Sequence, residues 1–486
     1  MPPLIATIIF VIGICGLFWL DRHPDEHTSK ALWIPVIWLA ICASRPVSSW
    51  VQSGQVMDVR VRYLEGSPLD AAIWGVLLIA GLIVLLWRVQ ATSEFVNVNL
   101  ALILYFTYCG VSILWADYPF VSFKRWIKAA GDVVMILVVL TDDNRLPAIR
   151  RLLTRVSFVL IPVSVLLNKY YPAVARAYNR HSWEAMYSGV TAGKNLLGMT
   201  CLLCGLASLW SVLLAHALSK GKERRRRQLA HGVILLMVLW LLHIAHSMTS
   251  LACLGLGSLV MLFIRRAKPV ARPLRIHVAA TAVVLVAVFA LFLDSSGVLV
   301  RMLGRNPTLT GRTEIWSAVL ANSSNSLLGA GFESYWMGDR MVSVWKILGS
   351  GAEGIQEAHN GYLEVYLNLG WMGVAFLALV LLVGYRRIVA AFRWCPDVAV
   401  LMLSYFVTAI IFGLTEAAFR MMAPVWISLL LAMMAVSRHA WVPSAAAVPE
   451  IEGPARLPFR SQVPIHPGPE ECEHPVVRMR RLRERV

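Results

Sequence analysis

The ionisable and amide side chains that could do chemistry in this sequence are concentrated between Gly311 and Gly373, in a connection that interrupts a series of apolar segments. They include Arg312, Glu314, Glu333, Glu357, His359 and Asn360. Polar groups beside a bilayer are costly to bury, so a cluster of them in an apolar chain usually marks a site. The arginine and the histidine predict two kinds of chemistry, anion binding and proton transfer.

Arg312 is predicted to bind an anion. Thr310 and Gly311 can begin a helix, which puts Arg312 in the first turn, where free backbone N–H groups and the helix dipole already favour negative charge. A guanidinium added there could hold a phosphate through two parallel hydrogen bonds. The alternative is that Arg312 only pairs with Glu314 or Glu333, or anchors the helix at lipid headgroups.

His359 is predicted to act as a general base. It lies at the start of the next helix, and a helix N-terminus disfavours the imidazolium, so we expect a neutral ring that can accept a proton from a hydroxyl. Glu357 is close enough in sequence to orient the ring. The alternative is an interfacial histidine that caps the helix, and Asn360 is expected to be a cap or a member of the same polar network.

A second group of candidate binding residues precedes an apolar segment, in the run Thr191-Ala192-Gly193-Lys194-Asn195. Lys194 at the mouth of a helix suits an anion, although a lysine that extends to the membrane surface would look the same. Together with Arg180 just upstream, the candidate substrate-binding residues are Arg180, Lys194, Asn195, Glu357 and Asn360. Further along the chain, Glu416 and Arg420 either contribute to the same cavity or pair with each other.

No metal site and no cofactor are predicted. His243 and His246 stand three residues apart and could face the same way, but the sequence offers them no third ligand. Polar residues that cap a helix at an interface explain the pair better.

The elements that must position these residues are membrane helices. Of the 486 residues, 58% are hydrophobic and only 15% are charged, with a mean hydropathy of +0.65. Since a membrane span needs roughly 20 apolar residues, the pattern predicts an all-α polytopic membrane protein with about 12–13 transmembrane helices. A long connection, 294–361 between Leu293 and Leu363, carries a short amphipathic helix. The predicted transmembrane domain covers residues 1–440, and 441–486 form a disordered basic tail.

The net charge of +17 is explained by membrane topology and not by a nucleic acid partner. The cations fill three connections, each two helices from the next: Lys220, Lys222 and Arg224 to Arg227; Arg265, Arg266, Lys268, Arg272 and Arg275; and Arg386, Arg387 and Arg393. Cytoplasmic connections are enriched in Lys and Arg, so these three and the tail are predicted to be cytoplasmic. The same parity puts 246–250, 294–361, 414–423 and the N-terminus on the opposite, periplasmic face.

Six motifs in a fixed order resemble the O-antigen ligase and polymerase superfamily, especially its exopolysaccharide-production branch. They are SILWADYPFVSFKRWIK (Ser112 to Lys128), GVTAGKNLLG (Gly189 to Gly198), HSMTSLACLG (His246 to Gly255), GRTEIW (Gly311 to Trp316), LLGAGF (Leu327 to Phe332) and EAHNGYLEVYLNLGWMG (Glu357 to Gly373). The resemblance implies a helical, metal-independent, inverting membrane glycosyltransferase that faces the periplasm. Such enzymes move glycan from undecaprenyl pyrophosphate to an acceptor hydroxyl.

The resemblance also implies roles for single residues. Two arginines generally hold the pyrophosphate and a histidine activates the acceptor. By motif, Arg312 is one arginine and His359 is the histidine, while the other arginine has no clean match and Arg180 or Lys194 are the candidates by position. The implied partners are a lipid-linked oligosaccharide donor, a glycan acceptor, membrane lipids and a possible polysaccharide-assembly complex.

The sequence therefore predicts a bacterial inner-membrane glycan polymerase or ligase. The alternative is a polytopic transporter or flippase of lipid-linked oligosaccharide, which should carry charges near mid-membrane and broken helices in related halves. A non-catalytic subunit of a secretion complex is a third possibility. The polar density in one outer connection favours an enzyme.

Overall fold

The fold is known from a computed structural model. It describes residues 1–22, 26–51, 66–178, 185–266, 272–288, 312–323, 325–349, 352, 354–436 and 441. Three predictions lie outside these residues: the role of Arg180, the disordered tail beyond 441, and the first part of the long connection up to Gly311.

The described chain is almost entirely helical. Its α-helices are Pro3–Leu20, Trp33–Cys42, Ser48–Val51, Pro68–Trp87, Val89–Val98, Leu100–Val111, Pro119–Leu140, Arg145–Tyr170, Pro172–Ala175, Lys194–Leu218, Gly221–Ile244, Met248–Arg265, Arg272–Val288, Arg312–Ala321, Gly338–Leu348, Gly361–Ala391, Pro396–Phe412 and Pro424–Met434. Short 3-10 turns cover Lys30–Leu32 and Ser112–Trp115, and Arg176–Tyr178 pairs antiparallel with Ala185–Tyr187 as two three-residue strands.

The all-α polytopic membrane class is confirmed. Among the described residues, seven helices are long and apolar enough to cross a membrane, and an eighth span is possible if Val89–Val98 and Leu100–Trp115, bent by 85°, count as one. The described residues also contain shorter apolar helices, at Lys30–Cys42, Pro396–Phe412 and Pro424–Met434. The total of about 12–13 spans therefore stays a prediction.

The Lys194–Leu218 helix is the centre of the bundle. Its apolar window is 78% buried, whereas that of Pro3–Leu20 is only 11% buried, as expected for a helix whose apolar surface faces lipid. Trp210 on the central helix donates its indole N–H to the Asp397 carbonyl at 2.7 Å, and Tyr405 donates its hydroxyl to the Leu203 carbonyl at 2.9 Å. These bonds tie the central helix to Pro396–Phe412 inside the protein.

The connections separate into two ends of the bundle as the charge pattern predicts. At the end rich in basic residues, Arg227 pairs with Asp21, and Arg265 pairs with Asp397 at 3.9 Å. At the other end, Asn195 contacts Glu416 at 3.1 Å. The first helix connects both ends: Thr7 shares a 2.8 Å hydrogen bond with Tyr171, and the Trp19 carbonyl accepts one from Arg226. The N-terminus thus lies at the end away from the basic connections.

The kink in the Gly361–Ala391 helix explains two glycine-rich motifs. Gly370 has φ 63°, and the interrupted backbone leaves the carbonyls of Leu367 and Asn368 free to accept from the N–H groups of Ala330 and Gly331 at 3.0 and 2.8 Å. A Cβ on Gly370 would overlap the Leu327 carbonyl. The LLGAGF run therefore docks against the LNLGWMG run backbone to backbone, which only residues without side chains permit.

The long connection packs as a small apolar cluster of its own. The predicted helix is confirmed as Arg312–Ala321, and Ile315 and Val319 are buried in the cluster. A further helix, Gly338–Leu348, was not predicted, and it contributes Val344 and Trp345 to the cluster. The helix expected near Ala358 begins three residues later, at Gly361.

Candidate active site

Asn360 begins the helix that follows the histidine. Its side-chain Oδ1 accepts hydrogen bonds from the backbone N–H groups of Tyr362 and Leu363, both at 3.0 Å. This is the N-cap arrangement, which satisfies two otherwise free donors of the first turn. Asn360 therefore has a structural task, as the cap interpretation predicted, and its predicted contact with substrate stays a prediction.

His359 is held in a conformation that few residues adopt. Its φ is 51°, in the left-handed region, which costs a non-glycine residue free energy and is found mostly where the surrounding structure enforces it. Ala358 supplies that enforcement: its N–H donates to Glu364 and its carbonyl accepts from the Trp316 indole at 2.8 Å. The Trp336 indole donates to the other oxygen of Glu364 at 2.9 Å.

The imidazole of His359 lies between two carboxylates. Its Nδ1 is 3.1 Å from Glu357 Oε1 and 3.1 Å from Glu416 Oε2. Burial lowers the pKa of the ring, but the hydrogen bonds and negative charges of Glu357 and Glu416 outweigh burial and raise the pKa of His359 to about 9. The expectation of a neutral imidazole is therefore wrong for this arrangement, because two full charges outweigh the helix dipole.

The same network acts on Glu357. Burial alone would raise the pKa of its carboxyl, but the hydrogen bond and charge of His359 and the charges of Arg420 and Arg312 bring the pKa below its ordinary value. Glu357 is consequently ionised at neutral pH.

Arg312 joins this group through Glu416. Its Nη2 lies 2.7 Å from Glu416 Oε1, and the residue is only 7% exposed. The alternative partners, Glu314 and Glu333, form no ion pair with it among the described residues. Its Nη1 is buried and has no hydrogen-bond partner in the same part of the chain. A buried donor without a partner is costly, so this nitrogen is suited to an oxyanion that arrives from outside.

Glu416 is the hub of the site. From the sequence it was named only as a possible contributor to the cavity, and this central role was not predicted. It receives Arg312, His359 and the side-chain amide of Asn195, the last at 3.1 Å to Oε2. Arg420, four residues on, lies 3.9 Å from Glu357 Oε2 and 3.7 Å from Glu333 Oε2. Glu416 and Arg420 therefore contribute to one cluster, which is the first of the two alternatives that the sequence left open. The signal that drew attention to both residues in the sequence is a pair of ionisable side chains between two apolar segments.

The predicted site residues are thus largely brought together. Arg312, Glu357, His359 and Asn195 share one connected network. Lys194 is the neighbour of Asn195 at the start of its helix, with an exposed side chain, and no ion pair to the network is formed by it among the described residues.

Glu357, His359 and Glu416 also offer three ligand atoms within 4.8 Å of one another, a set that could hold a metal ion. This set of three ligands was not predicted from the sequence. Two guanidinium groups and an amide already contact the two carboxylates, so a divalent cation would have to displace them. The contacts describe an ion-pair network and do not require a metal.

Comparisons with known proteins agree with the motifs. The family model described as O-antigen ligase matches residues 231–378, which include Arg312, Glu357 and His359. The exopolysaccharide production protein ExoQ of Rhizobium meliloti (strain 1021) is 24% identical over 286 residues, which are 57% of this chain and 62% of ExoQ. The chain therefore matches less than two thirds of that relative's length. The motif order and these two matches agree with one another: the chain is similar to the O-antigen ligase superfamily, and in particular to its exopolysaccharide-production branch.

Proposed function

We propose that this protein is an inner-membrane glycan polymerase or ligase with its site on the periplasmic side. It transfers oligosaccharide from undecaprenyl pyrophosphate to an acceptor sugar hydroxyl during exopolysaccharide or O-antigen assembly. The observation that carries the proposal is the meeting of Arg312 and His359 on the two oxygens of one carboxylate, Glu416, at 2.7 and 3.1 Å. A cation for a leaving phosphate and a base for a hydroxyl are thereby held side by side.

The leaving group is stabilised by Arg312. As the bond between the anomeric carbon and the pyrophosphate breaks, negative charge develops on the departing oxygen, and a fixed guanidinium stabilises that charge without reorganising. The buried Nη1 of Arg312, which has no hydrogen-bond partner among the described residues, supports this role.

The acceptor is activated by the nitrogen of His359 that faces away from both carboxylates. Because Glu357 and Glu416 both contact Nδ1, the neutral ring keeps its proton there and carries its lone pair on Nε2. Nε2 takes the hydroxyl proton as the acceptor oxygen attacks the anomeric carbon. A single displacement of this kind inverts the configuration, and no step needs a metal.

Analysis of lipid-linked and surface glycans by mass spectrometry tests the proposal. His359→Ala should abolish long-chain surface polysaccharide, and Arg312→Lys should reduce it strongly because an ammonium cannot make two parallel contacts. Glu314→Gln, an exposed acid near Arg312, is the control and should behave as the native protein. Normal chain length in His359→Ala, at normal protein level, would contradict the proposal.

A deletion strain separates the alternatives. Single repeat units that accumulate on the carrier lipid indicate a polymerase, and long polymer on the carrier indicates a ligase. Lipid-linked material that stays on the cytoplasmic side indicates a flippase, the class for which the 85° bend between Val89–Val98 and Leu100–Trp115 is the structural argument.

A further inference from the structure

Arg45, in the connection after the Trp33–Cys42 helix, has no part in the proposed reaction, yet its guanidinium makes four hydrogen bonds to backbone carbonyls. The bonds are 3.0 to 3.3 Å long, and the accepting residues are Val174, Gly189, Val190 and Thr191. The backbone N–H of Arg45 adds another bond, to the Val190 carbonyl at 3.0 Å. All four acceptors of the side chain are neutral, so the guanidinium holds backbone in place through charge-assisted hydrogen bonds.

Three of these carbonyls, at 189–191, belong to the run that leads into the central helix. The Thr191 carbonyl accepts from Arg45, and the Thr191 hydroxyl donates to the Gly193 carbonyl at 2.8 Å. Gly193 is the N-cap of the central helix, and Asn195 lies in the first turn. A series of direct contacts therefore connects Arg45 to the turn that carries Asn195.

The central helix itself is fixed near its start. The Ala43 carbonyl, two residues before Arg45, accepts from the Thr200 hydroxyl at 2.9 Å. A Cβ on Gly198 would lie 2.3 Å from the Ser250 hydroxyl oxygen, so the helix that carries Ser250 packs directly against this part of the central helix. Because these contacts hold the helix, a change in the run bound by Arg45 acts on the first turn and is not absorbed by movement of the whole helix.

Asn195 acts on the same carboxylate oxygen as the histidine. Its Nδ2 is 3.1 Å from Glu416 Oε2, and His359 Nδ1 is 3.1 Å from the same atom. The other charged groups in contact are Glu357, on the same ring nitrogen, and Arg312, on the other oxygen of Glu416. The neutral amide donates to the ionised carboxylate, so its loss would strengthen the bond between Glu416 and a protonated imidazole.

We propose that Arg45 is a positioning residue of the active site, which sets the contact between Asn195 and Glu416 by holding the backbone of 189–191. It acts through that backbone and not by contact with a substrate. The proposal rests on the proposed function, because the carboxylate that Asn195 contacts also holds the proposed base. A lysine cannot take over this task, since an ammonium is a compact donor that does not match carbonyls spread around a planar guanidinium.

A titration of His359 tests the proposal without requiring activity. In the full-length protein in detergent, isotopically labelled on histidine, the magnetic resonance signal that His359→Ala removes gives the pKa of this ring. Asn195→Ala and Arg45→Lys should each raise that pKa by roughly half a unit to one unit, because the carboxylate loses a competing donor. The double variant should raise it no further than Asn195→Ala alone, since both changes act through one contact.

Arg387→Lys is the matched control. Arg387 also holds backbone, since it donates to the Val98 carbonyl and to Asn99 Oδ1, the latter at 2.6 Å, but it does so at the end rich in basic residues. The control should lower the thermal midpoint and leave the pKa of His359 unchanged. An unchanged pKa in Arg45→Lys, or a double variant whose shift is the sum of the single shifts, would overturn the assignment.

Thr191→Val keeps the test available if Arg45→Lys does not fold. It removes the hydroxyl bond to Gly193 with little change of shape, and it should raise the pKa of His359 in the same direction. A native pKa in Thr191→Val would overturn the proposed path from Arg45 to Asn195.

Transfer assays in membrane vesicles distinguish this proposal from the proposed function. In Arg45→Lys, the rising limb of the rate should move to higher pH by the same amount as the pKa of His359. Native transfer in His359→Ala, together with a raised pKa in Arg45→Lys, would contradict the proposed function and leave the positioning by Arg45 intact. Loss of transfer in His359→Ala, with a native pKa in Arg45→Lys, would have the opposite meaning.

Discussion

At the scale of single residues, the protonation of His359 determines how the proposed reaction depends on pH. A base must be neutral, and a pKa of about 9 leaves roughly one ring in a hundred neutral at pH 7. The neutral fraction grows as pH rises, so the transfer rate should increase about tenfold per unit between pH 7 and 8 and level off above 9. A rate measured in membrane vesicles that stays constant from pH 7 to 9 would exclude His359 as the base.

The substitution Glu416→Gln tests whether the charge of Glu416 sets this pH dependence. The change removes one of the two negative charges on the ring, which lowers the pKa of His359 and moves the rising limb to lower pH, by on the order of one unit. The maximum rate should fall as well, because Arg312 loses its 2.7 Å partner. Glu314→Gln is the control and should keep the native profile. A Glu416→Gln profile that overlays the native one would show that Glu416 has only a packing role.

The residue types at this site could be predicted from the sequence, but their protonation states could not. Arg312, Glu357 and His359 were predicted because one connection collects them and because they lie in recognisable motifs. Their protonation was not predictable, since it depends on Glu416, which lies 57 residues beyond His359 along the chain. A local rule such as the effect of a helix N-terminus cannot include a charge that only the tertiary fold brings near.

At the scale of elements, the kink at Gly370 is the feature that attaches the long connection to the membrane helices. Gly370→Ala should destabilise the protein by about 1–3 kcal/mol, because a side chain is strained at φ 63° and would overlap the Leu327 carbonyl. Thermal unfolding in detergent measures the loss. The matched control is Gly255→Ala, in the Met248–Arg265 helix, where a Cβ meets nothing within 4 Å and the helix should tolerate or gain from alanine.

An unfolding midpoint for Gly370→Ala equal to that of Gly255→Ala would mean that the docked backbone can relax.

The helical class was predictable from long apolar runs, whereas the 85° bend between Val89–Val98 and Leu100–Trp115 was not. The Gly338–Leu348 helix was not predictable either, because it is short and lies between glycine-rich stretches that indicate loops. The last helix of the connection begins at Gly361, later than predicted, because the side-chain amide oxygen of Asn360 caps its first turn. That contact depends on the turn of the backbone before the helix, which the sequence does not reveal.

At the scale of the whole molecule, the division of charge between two ends makes the orientation testable. Ala192 is exposed beside the candidate site, and Lys222 is exposed at the basic end. In a variant from which Cys15 and Cys472 have been removed, the six remaining cysteines are buried. A single cysteine introduced at the surface then shows on which side of the membrane its end of the bundle lies. We expect a membrane-impermeant maleimide to label Ala192→Cys in intact spheroplasts and Lys222→Cys only after permeabilisation.

We expect this orientation for two reasons. Lys and Arg are retained on the cytoplasmic side of a membrane. A donor that carries its sugar on a lipid diphosphate is used outside the cytoplasm, where nucleotide sugars are absent. Labelling of Lys222→Cys and protection of Ala192→Cys in intact cells would put the Arg312–Glu416–His359 network in the cytoplasm. That outcome would contradict the periplasmic reaction even if every contact in the network were correct. Labelling of both thiols only after permeabilisation would contradict it in the same way, because the site would then be closed to the periplasm.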